Sequence, residues 1–352
     1  MAPQVVLVTG VSRYLGARLA RTLCDVPSIE RVIGVDALPP SRELRASLGR
    51  TEFVRADIRN PLIGKVITTA AVDTVVHMNI RAAPHDSGGR SSMKEMNVIG
   101  TMQLLAACQK AETVRRLVVK STTAVYGSSP RDPAMFTEAM EAGGAPAYGY
   151  AKDAMEIEGY VRGFARRRPD VTLSVLRFTN FIGPRIESVL TEYFALPVVP
   201  TVLGFDPRLQ VLHEDDALEV LLRATLRELP GTVNVGADGV MLLSQAIRRA
   251  GRIGLPLPGI TAGIVDRVVR RAGKVDYTAE QRRFLNHGRV VDTTRLKSEF
   301  GYRPRYSTLE AFDDFVRGRQ LRPVVDPQRL AAVQERVLRL AVRSAARGVA
   351  RV

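Results

Sequence analysis

The chain has 352 residues, 45% of them hydrophobic, and a formal charge of +15 from 51 lysines and arginines against 36 acids. That length and apolar content read as a globular protein with a sizeable core, one large α/β domain or two lobes. Two cysteines and four histidines without metal-ligand spacing exclude a disulfide framework and a metal site, and fit a reducing, cytoplasmic setting; no stretch approaches the roughly 20 apolar residues of a membrane span.

In chain order, VVLVTG (5–10) is a β-branched run ending in glycine, read as a strand entering a turn rather than as a signal peptide. GARLARTLC (16–24) has helical spacing, and RVIGVD (31–36) is a second strand ending in an acid. EFVRADI (52–58), DTVVHM (73–78), RRLVVKST (115–122) and TLSVLRF (172–178) are further strands, with helices predicted over 92–111 and about 148–166. Strands alternating with helices predict an α/β fold of Rossmann type, a doubly wound parallel sheet covered on both faces. From about residue 183, prolines at 184, 197, 200, 207, 256 and 258 break the pattern into shorter pieces. We therefore expect a nucleotide-binding domain over 1–182, with a strand returning from about 208–237, a smaller substrate lobe over 183–320, and a basic helical tail over 321–352.

The basic residues are mostly arginine, 44 against seven lysines, and nine arginines fall in 317–352 against two acids. Within 326–352, Asp326 is placed as an N-cap with Pro327 at the first helical position. Leu330, Val333, Val337, Leu340 and Ala341 fall on one side of that helix, and Arg329, Arg336, Arg339, Arg343 and Arg347 on another. Such a helix either docks its apolar face on the protein or lies on an anionic membrane, giving peripheral contact at the inner membrane face.

VTGVSRYLGARLA (8–20) raises the functional question. A strand, a glycine turn and a helix, with an acid about twenty residues later, form the dinucleotide fingerprint. Gly10 allows the tight turn, Gly16 lets helix pack on strand, and the helix N-terminus faces a pyrophosphate. Asp36 accepts from the adenosine ribose and repels a 2′-phosphate, which favours NAD over NADP. Further on, STTAVYG (121–127) precedes YGYAK (148–152). Tyr148 and Lys152 are four apart and share a helical face, so the ammonium lowers the phenol pKa and makes a usable base.

With these pieces in order, the chain resembles the extended short-chain dehydrogenase/reductase family, the NAD-dependent epimerase/dehydratase group that includes UDP-galactose 4-epimerase. The resemblance covers about 4–315 and adds ADIRNP (56–61), VVHM (75–78), MNVIGTMQLLAAC (96–108), RFTNFIGPR (177–185), LHEDDALEVLLRA (212–224), GTVNVGA (231–237) and DTTRLKSEFGYRP (292–304). It implies Thr122, Tyr148 and Lys152 as the catalytic set, Tyr148 as acid/base and Lys152 on the nicotinamide ribose. It implies that Gly10, Arg13, Tyr14, Leu15 and Gly16 line the pyrophosphate turn and that Asp36 holds the ribose. Asp57 and Ile58 are expected at the adenine. Met78, Asn79 and Thr179 are expected around the cofactor, and Asn97 where the family orders the active-site helix. Asn180 and Thr122 are expected on the substrate. A homodimer through the helices at 92–111 and 148–166 is implied as well.

Three departures accompany the resemblance. Arg13 replaces the middle glycine, which still permits the turn at negative φ, and keeps NADP as the minority alternative. Asn79 and Ile80 replace smaller residues beside the nicotinamide. Where nucleotide-sugar enzymes carry a diphosphate-binding arginine, this chain has Leu209, with Arg208 one residue away and able to substitute only through a bulge. The leading expectation is a nucleotide-sugar epimerase with tightly held NAD. A hydroxysteroid or lipid-alcohol dehydrogenase is the alternative within the fold, and a non-catalytic nucleic-acid binder is the alternative outside it.

Overall fold

The computed structural model describes residues 2–80, 89–140, 149–257 and 279–324, so Tyr148 and the 326–352 tail lie outside the described residues. The first half alternates β1 (Val5–Thr9), α1 (Tyr14–Cys24), β2 (Arg31–Asp36), α2 (Arg42–Ser47), β3 (Glu52–Arg55), α3 (Leu62–Thr69) and β4 (Thr74–His77). It continues through α4 (Gly89–Lys94), α5 (Gly100–Lys110), β5 (Arg116–Thr122), α6 (Tyr150–Arg167) and β6 (Thr172–Phe178). The second half holds β7 (Asn180–Ile182), α7 (Val189–Ala195), β8 (Val198–Val202), β9 (Arg208–Leu209), β10 (Val211–His213) and α8 (Glu214–Leu226). After these come β11 (Gly231–Val235), β12 (Met241–Leu242), α9 (Leu243–Arg249), β13 (Ile253–Leu257), α10 (Ala279–His287), α11 (Thr294–Ser298) and α12 (Thr308–Gly318).

Seven strands form one sheet in the order β11-β6-β5-β4-β1-β2-β3, every pair parallel. Runs such as VVLVT and TVVH are apolar on both faces because helices cover both sides. One layer packs Leu15, Leu19 and Leu23 of α1 with Val220 and Leu221 of α8; the other packs Ile63 and Ile67 of α3 with Leu104, Ile157 and Phe164. The chain winds one way from β1 to β3 and the other way from β4 onward. The two directions part at the β1/β4 pair, where a crevice opens beyond the strand ends. A separate cluster of Tyr193, Phe194, Leu209, Met241, Phe312 and Phe315 forms the core of the smaller lobe.

The helix predicted at 92–111 runs from Gly89 to Lys110 but widens into a π turn over Glu95–Ile99. Such turns interrupt the regular ladder and turn side chains out of phase. This one carries Asn97, fully buried, whose Nδ2 donates to Asp153 Oδ2 of α6 at 3.4 Å.

β4 ends at His77, buried between two hydroxyls: Nδ1 lies 2.9 Å from Thr9 Oγ1 and Nε2 2.9 Å from Thr101 Oγ1. Burial, reinforced by the Lys120 ammonium, pushes its pKa down to about 3. In the unfolded chain the ring takes up a proton near pH 6.5. Between those values the unfolded state binds more protons than the folded one, so stability falls as pH drops below about 6.5. At pH 5 this group is expected to cost about 2 kcal/mol relative to pH 7. Urea unfolding of the wild type and His77→Gln at both pH values checks it. The stability gap between them should narrow at pH 5, and a gap independent of pH would overturn the assignment.

Candidate functional site

The passage from β1 to α1 is built on close approach. Gly10 has φ +78°, and a Cβ there would stand 3.3 Å from the Asn79 amide nitrogen beyond β4. A Cβ on Gly16 would lie 2.2 Å from the Gly10 carbonyl oxygen. Between them, Arg13 is the extended N-cap of α1 with φ −124°, so the middle position needs no glycine. Asp36, which closes β2, is buried, and its Oδ2 accepts from the Ser12 amide at 3.2 Å, tying the acid to the turn. The Tyr14 hydroxyl donates to Glu214 Oε1 at 2.7 Å. Glu214 Oε2 in turn accepts the Ile186 amide at 2.8 Å and the Arg185 amide at 3.2 Å, clamping α1 to the loop after β7. Burial, and then Glu214, push Tyr14 up to about 12.

Beyond this turn lies a cleft of about 940 Å³, walled by Met78 and Ile80 after β4, Lys120 and Thr122 of β5, the stretch Phe178–Phe181, and Glu280 and Phe284 of α10. That is the size of a cofactor and substrate site. Thr179 Oγ1, in the wall, and Asn79 Oδ1, between two wall residues, are buried without a hydrogen-bond partner among the described residues. Buried polar atoms are ordinarily satisfied, so these are positions a bound ligand would complete. With the glycine cradle and the acid on β2, the residues present fit a dinucleotide.

Tyr150, the first residue of α6, lines the same cleft as Thr122. Thr122 Oγ1 also accepts the Ala124 amide at 3.1 Å, which fixes its rotamer. Burial pushes the Tyr150 phenol up, with the nearby Thr122 hydroxyl, Arg289 and Arg13 opposing and Glu280 reinforcing. Glu280 Oε2 accepts the Ala151 amide at 3.0 Å, holding α10 against the start of α6.

Of the predicted site residues, Gly10, Arg13, Tyr14, Leu15, Gly16, Met78, Thr122, Thr179 and Asn180 line this one cleft. Asp36 and Asn79 lie directly behind its wall. Ile58 is buried against α5, where a Cβ on Gly100 would touch it. Asp57 is held by Arg59 at 2.6 Å and does not line the cleft. Lys152 also fails to line it: α6 buries Ala151, Asp153, Ala154 and Ile157, and Lys152 projects into solvent. Two residues along a helix are about 200° apart, so a helix that turns Tyr150 inward turns Lys152 outward. The bulge that would bring Arg208 to the substrate does not form. Leu209 is fully buried opposite Met241, and strand alternation leaves Arg208 exposed and away from the cleft.

Sequence reasoning missed Tyr150, Lys120, Arg185 and Glu280, all in the cleft wall. Two of them had a signal: Lys120 is two residues before Thr122 on the same strand face, and Arg185 ends the RFTNFIGPR stretch.

A family model described as the NAD dependent epimerase/dehydratase family matches residues 6–236. An uncharacterised protein of Mycobacterium tuberculosis (strain H37Rv) is 52% identical over 341 residues, 97% of this chain and 91% of that protein. Among solved structures, dTDP-glucose 4,6-dehydratase from Bacillus anthracis in complex with NAD superposes with a TM-score of 0.68 at 19% identity, covering 90% of this chain and 96% of its own. UDP-glucose 4-epimerase from Thermotoga maritima with UDP-glucose gives 0.67 at 19% identity, covering 90% and 99%.

Proposed function

The chain belongs to the NAD-dependent epimerase/dehydratase family, and from that premise we propose that its cleft oxidises and re-reduces a carbinol carbon of a nucleotide sugar. The observation that carries this reading is that Thr122 and Tyr150 line the same cleft as the Gly10–Gly16 turn. NAD, when bound, supplies the acceptor and donor of hydride. The free amides at the start of α1, with Arg13, would hold the pyrophosphate, and Asp36 the adenosine ribose. Thr122 would hold the substrate oxygen. Its proton would pass to a tyrosine, either Tyr148, which the family motif nominates, or Tyr150, which lines the cleft with Thr122. Asn180 and Arg185 would meet the polar tail of the substrate. The exposed apolar residues Ile99 and Met102 at the α5 end and Tyr160 on α6 support a homodimer through these helices.

The test is mass spectrometry of small molecules released from the purified, denatured protein, followed by assay with UDP-glucose. Released NAD and interconversion of the sugar without net NADH are expected. Failure to carry or bind any nicotinamide nucleotide would sink the reading. The outward turn of Arg208 favours one alternative, a lipid-alcohol dehydrogenase, which would instead accumulate NADH with a sterol substrate.

Cofactor choice is a separate expectation. A carboxylate fixed at the turn repels a 2′-phosphate, so NAD should bind at least tenfold more tightly than NADP, and Asp36→Ala should close most of that gap. Calorimetric titration of both nucleotides decides it. A wild-type preference for NADP would mean that Arg13 outweighs Asp36.

A further inference from the structure

We propose that Glu214 is a positioning residue that sets the substrate side of the cleft against the nucleotide turn. The inference rests on the reading of the cleft as a site for NAD and a nucleotide sugar. It assigns how the loop after β7, residues 183–188, is held in place relative to the cofactor.

Three observations carry it. First, the two sides of the cleft come from segments far apart in the chain. Tyr14 opens α1 at the nucleotide turn, Arg185, Ile186 and Ser188 belong to the loop after β7, and all four line the cleft. Second, one carboxylate joins the two segments. Glu214, the first residue of α8, is 3% exposed. Its Oε1 accepts the Tyr14 hydroxyl at 2.7 Å, and its Oε2 accepts the Ile186 amide at 2.8 Å and the Arg185 amide at 3.2 Å. Hydrogen bonds to an ionised carboxylate are the strong ones, and the N-terminus of α8 favours the charge. Third, the loop is shaped to admit this group. A Cβ on Gly183 would lie 2.5 Å from Glu214 Oε2, so a larger residue there would displace the carboxylate.

The two oxygens have separate tasks. With Oε1 held by Tyr14, Oε2 is turned to the loop amides, and the Arg185 side chain leaves a backbone whose position is fixed from the cofactor side. Without the phenol, the carboxylate is free to rotate toward Arg18, whose Nη1 lies 3.9 Å from Oε1. A hydroxyl in the nucleotide turn thereby governs a loop on the substrate side. Leucine at position 214 removes both arms and takes the acceptor from the Arg185 and Ile186 amides, which is the costly way to lose a hydrogen bond.

The experiment is calorimetric titration of UDP into the NAD-saturated, full-length protein, with thermal unfolding as a check on folding. Glu214→Leu, close to glutamate in volume, should bind UDP about tenfold more weakly than the wild type. Tyr14→Phe should weaken UDP about threefold, although it alters only the cofactor side. In the Glu214→Leu background, Tyr14→Phe should cost UDP nothing more, because the phenol acts through the carboxylate. Asp215→Asn, which loosens Arg18 and leaves the three donors to Glu214 in place, should bind UDP as the wild type does. Unchanged UDP affinity in a folded Glu214→Leu, additive losses in the double variant, or an equal loss in Asp215→Asn overturns the assignment and leaves the nucleotide-sugar reading standing. Where Glu214→Leu does not fold, unchanged UDP affinity in Tyr14→Phe overturns it alone. A wild type that takes up NAD but not UDP defeats the nucleotide-sugar reading, and the role of Glu214 with it.

Discussion

Replacing Arg177 with methionine is expected to lower the unfolding free energy by about 3–5 kcal/mol, the usual cost of leaving one member of a buried ion pair alone. Arg177 on β6 is 9% exposed. Its Nη2 donates to Glu158 Oε2 of α6 at 2.7 Å and its Nε to Glu158 Oε1 at 3.0 Å. Its Nη1 donates to the Tyr126 hydroxyl at 2.8 Å, and that hydroxyl donates to Asn234 Oδ1 on β11 at 2.8 Å. Ser121 of β5 also donates to Glu158, at 2.6 Å. The network therefore joins three strands and the helix that presents Tyr150, next to Thr122. Methionine keeps much of the volume but leaves the buried Glu158 carboxylate with only Ser121 and the exposed Arg162, 3.9 Å away. Urea unfolding of Arg177→Met, Glu158→Leu and the double variant tests the argument. The double variant should be markedly more stable than Arg177→Met, because no charge is left unpaired. Equal stability of those two would show that packing, and not the buried charge, dominates.

Gly16→Ala is expected to weaken NAD binding by about 100-fold. The added methyl would sit 2.2 Å from the Gly10 carbonyl oxygen and 2.9 Å from its carbon. Those are backbone atoms that cannot rotate away, so α1 must move off the turn. Overpacking of this kind typically costs about 1–3 kcal/mol, and roughly 1.4 kcal/mol is tenfold in affinity. The control is Gly64→Ala in α3, where the methyl would meet only the Ala107 Cβ at 3.7 Å. That variant should bind NAD normally and gain up to about 1 kcal/mol from helix propensity. Unchanged NAD affinity in Gly16→Ala would remove the turn from the cofactor site.

The scaffold and the nucleotide turn were legible because they are local. Five or six β-branched residues make a buried strand wherever helices cover both faces, and Gly10, Gly16 and Asp36 act within one strand–turn–helix unit and the strand beside it. The place of Arg13 was legible for the same reason, since a negative φ is a property of one residue.

What only the tertiary structure decided is which side chains meet in the cleft. YGYAK carries two tyrosines two residues apart, and helical spacing pairs Tyr148 with Lys152. The start and phase of α6 were not in that spacing. They follow from Ala154, Ile157 and Glu158 packing inward, from Asn97 on the π turn meeting Asp153, and from Glu280 holding the Ala151 amide across 129 residues. A helix fixed by these contacts presents Tyr150, while Lys120 reaches the same space from a strand. The outward turn of Arg208 has a like reason: a two-residue strand shows its inward face only once Leu209 is seen opposite Met241. Spacing along the chain determined which residues could share a face, and packing between distant segments determined which face looks into the site.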